Sequence, residues 1–229
     1  MASADQDNER VRSVLALRRT KSQEFFSSAA GEWDRLRGEL VGRRLDLIAL
    51  LGLFDDRWVV GDLGCGTGQV SDVVAPFVRS VIAVDDEEAM LSAAKQRLES
   101  HANVDLRSGE LEKLPIPDMH LDVVIMFLVL HYAADPAGVL REVSRVLRPG
   151  GRLLLVDMCP HDRDDYRHAM GHAWLGFGEE QLRGWAGEAG LEGFRYVTLP
   201  ADPDAKGPNL FAGTARTPRE EVWIPGMLE

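Results

Sequence analysis

Residues 58–68 read Trp-Val-Val-Gly-Asp-Leu-Gly-Cys-Gly-Thr-Gly, in which a β-branched run closes on Asp62 and glycines follow at Gly64, Gly66 and Gly68. A helix-like stretch, Gln69 to Phe77, comes next. Strand, tight turn and helix in that order bring backbone very close to a ligand. A Cβ at such a turn would collide with the ligand or forbid the dihedrals it needs. A chain organised around this turn is expected to be an α/β protein that holds a nucleotide-like molecule.

Composition narrows the partners. At 229 residues the chain suits one α/β domain with an extra segment, long enough to bury a real core. Its net charge of −11 argues against nucleic acid, whose phosphates need a basic face. Arg10, Arg12, Arg18, Arg19 and Lys21 make the N-terminal part locally basic, which reads as a solvated helix face with ion pairs. Cys65 and Cys159 are the two cysteines, with no paired spacing for zinc and no disulfide framework. The sequence has no signal peptide and no apolar run near about 18 residues. A cytoplasmic protein with reduced thiols and no membrane partner is therefore expected.

The hydrophobic spacing predicts helices over 5–19, 22–30 and 39–51. The N-terminal helix is marginal alone and is a plausible homodimer contact. Strands are then expected at 58–62, 80–85, 103–107, 121–127 and 151–157, with helices at 68–77, 86–100 and 136–147 between them. Such alternation makes a mostly parallel sheet covered on both faces. The run Leu121 to Phe127 is apolar on both parities after Asp122, as a central strand should be. Two more helices, 162–174 and 178–189, precede strands at 193–199 and 209–215. The short link Pro200 to Pro208 suits a hairpin, so this edge of the seven strands should be antiparallel.

The glycine turn by itself does not choose between dinucleotides and adenosyl compounds. Its spacing is G-x-G-x-G, and position 69, where the dinucleotide fingerprint has glycine or alanine, is Gln. Asp62 is awkward for a pyrophosphate but useful for a cationic or amino-bearing ligand. The second strand ends in Asp85, with Asp86 beside it, where an acid can accept hydrogen bonds from both ribose hydroxyls.

With these residues in order, the chain resembles class I S-adenosylmethionine-dependent methyltransferases from roughly Phe25 to Ala215. Val60 to Gly68 looks like the first motif, and Val84-Asp85 followed by Met90-Leu91 looks like the ribose motif. Gly109-Glu110-Leu111-Glu112-Lys113-Leu114-Pro115 looks like the adenine loop. Leu121 to Val124 through Leu130-His131-Tyr132, and Leu147 to Gly151 through Val156-Asp157, look like the last two blocks. The resemblance implies a Rossmann-like doubly wound sheet with an antiparallel edge hairpin. It also implies S-adenosyl-L-methionine as cofactor and S-adenosyl-L-homocysteine as product. Backbone at Gly64, Gly66 and Gly68 would line the methionine portion, with Asp62 at its amino group and Phe127 facing it. Asp85 would take the ribose. Asp86, Glu110 and the Leu111 backbone would sit at the adenine, Glu110 standing where Asp is commoner.

The ends resemble methyltransferase domains fused behind bacterial winged-helix metal-sensor repressors, and the entry motif resembles quinone-precursor C-methyltransferases. Arg18 to Phe26 and Ala30 to Asp34 carry the entry, and Val156 to Asp162 with His172 to Phe177 carry the later part. Trp33 and Asp34 would then form a lid near the cofactor. The implied organisation is a helical linker or lid over 1–37, the methyltransferase domain over 38–216 and a tail over 217–229.

Methyl transfer is an in-line displacement in which the protein mainly aligns and desolvates. Trp33 or Tyr132 could attract a sulfonium through an aromatic face. If the acceptor loses a proton, His131 lies where a base is needed, and His131 and Tyr132 are the catalytic candidates. His161 and His172 are candidates for the acceptor pocket. His168 and His172, four apart on the expected helix, match no tight metal signature, and no metal is expected. Three functions follow: a methyltransferase acting on a small molecule, a non-catalytic adenosyl-cofactor sensor, or a nicotinamide-dependent oxidoreductase. The last is disfavoured by Gln69 and by the lack of a Tyr-x-x-x-Lys pair.

Overall fold

Seven strands form one sheet in the order β3-β2-β1-β4-β5-β7-β6. They are β1 (Val59–Leu63), β2 (Ser80–Asp85), β3 (Val104–Ser108), β4 (Leu121–Phe127), β5 (Leu147–Met158), β6 (Glu192–Thr198) and β7 (Leu210–Arg216). The computed structural model describes residues 2–42 and 44–219. β1 to β5 are parallel, and β7 runs antiparallel to both β5 and β6, as the short link before it requires. All five residues of β1 are buried, and so are Val123 to Met126 of β4, because both strands lie inside the sheet. Going outward from β1, the chain runs one way to β2 and β3 and the other way to β4 and β5. The reversal falls between β1 and β4, which is where ligands bind in such sheets.

Helices pack around the sheet: α4 (Gln69–Val74), α5 (Glu88–Arg97), α6 (Pro136–Val146) and α8 (Glu179–Glu188). α6 shows how the sequence sets its start and its inner face. Asp135 accepts the Gly138 N–H at 2.9 Å, and Pro136 occupies the first turn. Val139, Leu140, Val143 and Val146 then recur at helical spacing and are all buried.

By its internal packing the chain divides into two units, residues 1–52 and 53–229. The first holds α1 (Ala2–Ala29), α2 (Trp33–Val41) and α3 (Leu45–Ala49). α1 runs through the expected boundary between 19 and 22, since no Gly or Pro interrupts it. The single helix expected over 39–51 is instead two, parted at Gly42, whose φ of 90° ends α2. In this unit Trp33 packs edge-on against Phe26 at 5.0 Å and Phe25 at 6.2 Å. Ala29 is its one buried residue among those described. The second unit contains the whole sheet and its core. Of the expected tail 217–229, residues 220–229 lie outside the described residues. Among the described residues no helix is long and apolar enough to cross a membrane.

Candidate active site

β1 ends by delivering Asp62 into the interior and then the glycine turn. Gly64, Gly66 and Gly68 have φ of 70°, 52° and 77°. The turn is tied to β2: Gly64 N and Cys65 N both donate to the Val84 carbonyl, at 2.8 and 3.0 Å. Asp85 completes the tie, its Oδ2 accepting the Gly66 N–H at 2.7 Å and its Oδ1 the Glu87 N–H at 3.1 Å. A Cβ at Gly64 would overlap Val129, just past β4, whereas one at Gly66 would meet nothing within 4 Å. The turn therefore packs on the β4 exit at one glycine and leaves an open face at the other.

Asp62 is buried, and its Oδ2 accepts both the Ser71 N–H at 3.0 Å and the Ser71 hydroxyl at 2.6 Å. Burial pushes its carboxyl up to about 6 against these hydrogen bonds, and the nearby Asp85 charge adds to the rise. The Cys65 thiol beside it is pushed up to about 12 by burial and by the Asp62 and Asp85 charges, which makes it an inert filler. On the loops that follow β2 and β3, Asp86 and Glu110 are exposed and Leu111 is half-buried. The two loops are joined by Gly109 N donating to the Asp85 carbonyl at 3.1 Å. Phe127, at the end of β4, is 40% exposed. Trp33 belongs to the first unit and is described there.

The exit from β4 builds a second cluster. Leu128 takes φ of 53°, a left-handed conformation that a leucine adopts at a cost, and its N–H donates to the Val156 carbonyl of β5 at 2.8 Å. A short turn, Leu130–Tyr132, follows. It places His131 against Asp157 because β4 and β5 are in register, with Phe127 opposite Val156. His131 is 3% exposed and Asp157 is fully buried. The Nδ1 of His131 lies 2.8 Å from Asp157 Oδ1, which also accepts the Met158 N–H at 2.7 Å. Asp157 Oδ2 accepts the His131 N–H at 3.3 Å. A carboxylate surrounded by donors fixes the tautomer: Nδ1–H donates, and Nε2 keeps a lone pair.

Residues 159–177 fold back over this pair. Phe177 N donates to the Met158 carbonyl and His161 N to the Leu175 carbonyl, at 2.9 and 3.0 Å. Ala173 N and Trp174 N both donate to the His131 carbonyl at 3.0 Å. His172 is thereby brought 4.2 Å from the His131 ring, with Tyr132 at 5.1 Å and Tyr166 at 5.2 Å from its own. His161 stacks edge-on with Tyr166 at 5.5 Å. Burial lowers both His161 and His172 from the usual imidazole range. The helix expected over 162–174 is only α7 (Asp165–Met170). Gly171 ends it in a left-handed conformation, so His168 and His172 do not share a helical face.

Residues 61–155 match the model of the methyltransferase domain family. The probable S-adenosylmethionine-dependent methyltransferase of Mycolicibacterium smegmatis is 40% identical over 94 residues, 41% of this chain and 35% of that one. The ubiquinone/menaquinone biosynthesis C-methyltransferase of Vibrio campbellii is 28% identical over 220 residues, covering 79% of this chain and 83% of its own. Over residues 61–155 the chain is thus similar to S-adenosylmethionine-dependent methyltransferases, and its sheet has the class I methyltransferase fold. The crystal structure of a SAM-dependent methyltransferase from Aquifex aeolicus has the same fold, with a TM-score of 0.61 at 24% identity over 79% of this chain and 92% of that one. The chain spans 28% to 35% of the length of the first curated relatives it matches.

The glycine turn suits S-adenosylmethionine on the chemistry present: an open glycine face, a carboxylate ending β2, and a second, buried carboxylate on β1. The sequence reading brought His131, Tyr132, His161 and His172 forward separately, as catalytic and pocket residues, and the fold gathers them into one cluster. It missed Asp157 as the partner of His131, because the two meet only through the register of β4 on β5. It also missed Tyr166, for which the sequence carries no signal.

Proposed function

We propose that the protein transfers a methyl group from S-adenosylmethionine to an oxygen of a small-molecule acceptor, with His131 as the base. Asp85 takes the ribose hydroxyls, and Asp86, Glu110 and the Leu111 backbone hold the adenine. Asp62, the backbone of Gly64, Gly66 and Gly68, and Phe127 hold the amino-acid end. The cofactor, when bound, supplies an electrophilic methyl carbon on a sulfonium. His131 Nε2 takes the acceptor's proton while Asp157 orients the imidazole and offsets its positive charge. The buried Asp157–His131 pair carries this reading. It stands at the end of β4, two residues past the valine that touches the glycine turn.

Calorimetric titration with S-adenosylhomocysteine, then turnover on a broad panel of hydroxyl acceptors, tests it. The expected outcome is saturable heat with the intact protein and formation of S-adenosylhomocysteine from S-adenosylmethionine. His131→Gln should lower kcat by about a hundredfold or more, with homocysteine-adduct affinity unchanged. Binding without turnover on any acceptor would favour the sensor reading.

A further inference from the structure

We infer that the acceptor is a planar phenol or enol bearing a second oxygen beside the reacting hydroxyl, and that His161 holds that second oxygen. This deepens the methyl-transfer reading above and rests on it.

The tautomer of His161 is set by its neighbour. Its Nδ1 accepts the Arg163 N–H at 3.2 Å, so in the neutral ring the proton sits on Nε2. That Nε2 is buried without a hydrogen-bond partner, and so is Nδ1 of His172. Folded proteins leave few such groups, because an unmade buried hydrogen bond forfeits the whole desolvation cost. Two in one cluster, next to the buried Asp157–His131 pair, mark places that a bound molecule completes. Burial lowers both rings, which keeps them neutral near pH 7 and His161 a donor without charge.

The cluster thus offers one lone pair that accepts a proton, on His131, and one N–H that donates, on His161. A carboxylic acid is already ionised at neutral pH and has no need of the base. An isolated alcohol leaves the His161 donor unmet. A phenol or enol with a neighbouring hydroxyl or carbonyl oxygen uses both. The side chains around the cluster are rings that can stack on a flat acceptor: Tyr132 and Tyr166 flank His172, and Phe127 and Tyr132, on the exit from β4, are 40% and 48% exposed. In the reaction the acceptor O–H bond breaks and its proton goes to His131 Nε2. The oxygen bonds to the methyl carbon, and the carbon–sulfur bond breaks with its electron pair left on sulfur. The products are the methyl ether and S-adenosylhomocysteine, and His131 then returns its proton to solvent.

The probes are 4-nitrocatechol, which has the second oxygen, and 4-nitrophenol, which lacks it. Each is titrated into the protein loaded with S-adenosylhomocysteine, and phenolate absorbance is followed below the free phenol's midpoint. The expected result is that 4-nitrocatechol binds about tenfold tighter, the size of one hydrogen bond, and is held as the phenolate. His161→Phe should remove the preference. His161→Gln, which keeps an N–H donor, should retain it. Asp157→Asn should abolish the phenolate signal for both probes. Equal affinities in the wild type, a preference that survives His161→Phe, or no phenol binding by a protein that binds S-adenosylhomocysteine would each overturn the inference alone. Failure to bind S-adenosylhomocysteine would instead bring down the methyltransferase reading.

Discussion

Asp62 is a carboxylate that the fold holds at a cost to itself. Its carboxyl is raised to about 6, above the unfolded value, so the folded protein favours the protonated form. The stability this provides is complete below the unfolded pKa and is lost as pH rises through about 6. Asp62→Asn keeps an oxygen for Ser71 and removes the charge. It should raise the stability at neutral pH by up to about 3 kcal/mol, read as a higher thermal midpoint, and the two proteins should converge near the unfolded pKa. Melting curves at the two pH values check this, and no gain at neutral pH would refute it. The same change should weaken S-adenosylhomocysteine binding, which explains why a destabilising acid stands there. Asp85 contributes differently: it holds two backbone N–H groups, and the proposed function assigns it the ribose. Asp85→Ala should lower S-adenosylhomocysteine affinity by about 1.5–3 kcal/mol for each charged hydrogen bond lost. Unchanged calorimetric affinity would reject the ribose assignment. Both acids are legible in the sequence because each closes an apolar β-branched run, Asp62 just before the glycine turn and Asp85 at the end of the next strand. The Asp157–His131 pair is not, because its partners lie 26 residues apart and meet only through the β4–β5 register.

At the scale of elements, strands were easier to place than helices, for a physical reason. The buried strands are short apolar runs bounded by turn residues, and β2 and β4 fall where expected. Helix ends depend on single backbone conformations. Gly42 and Gly171 stop helices that periodicity alone continues, and α1 continues where no breaker stands. The stretch 159–177 owes its shape to tertiary contacts, to His131 and Met158 above all, and no local pattern encodes them. Its stability should follow its histidines. His161 and His172 lie below the ordinary value of 6.5 in the fold, so the unfolded chain takes up their protons first. The stability is present above that value and is lost as pH falls below it. Asp157, Asp162 and Asp165 oppose the loss, while Arg163 and His131 add to it. Amide exchange in residues 161–177 should quicken on acidification from neutral pH before the strands respond, and His172→Phe should flatten that response. Exchange that stays uniform across the molecule would show that these rings do not govern the segment.

For the whole molecule, the division between residues 1–52 and 53–229 separates two kinds of stability. The first unit has one buried residue among those described, so its helices contribute little apolar burial of their own. The second holds all seven strands, the helices packed on them, and a continuous core from Val59 to Ala215. It also holds every residue assigned to cofactor or acceptor except Trp33. A chain of residues 53–229 should therefore fold, giving a single cooperative thermal transition with the circular dichroism of a mixed sheet. It should also bind S-adenosylhomocysteine, because the glycine turn, Asp62, Asp85 and the Glu110 loop are tied to one another by hydrogen bonds within that unit. Calorimetry on the shortened chain decides the point. Saturable binding locates the cofactor site in the sheet domain alone. A folded chain that no longer binds would show that these residues do not suffice.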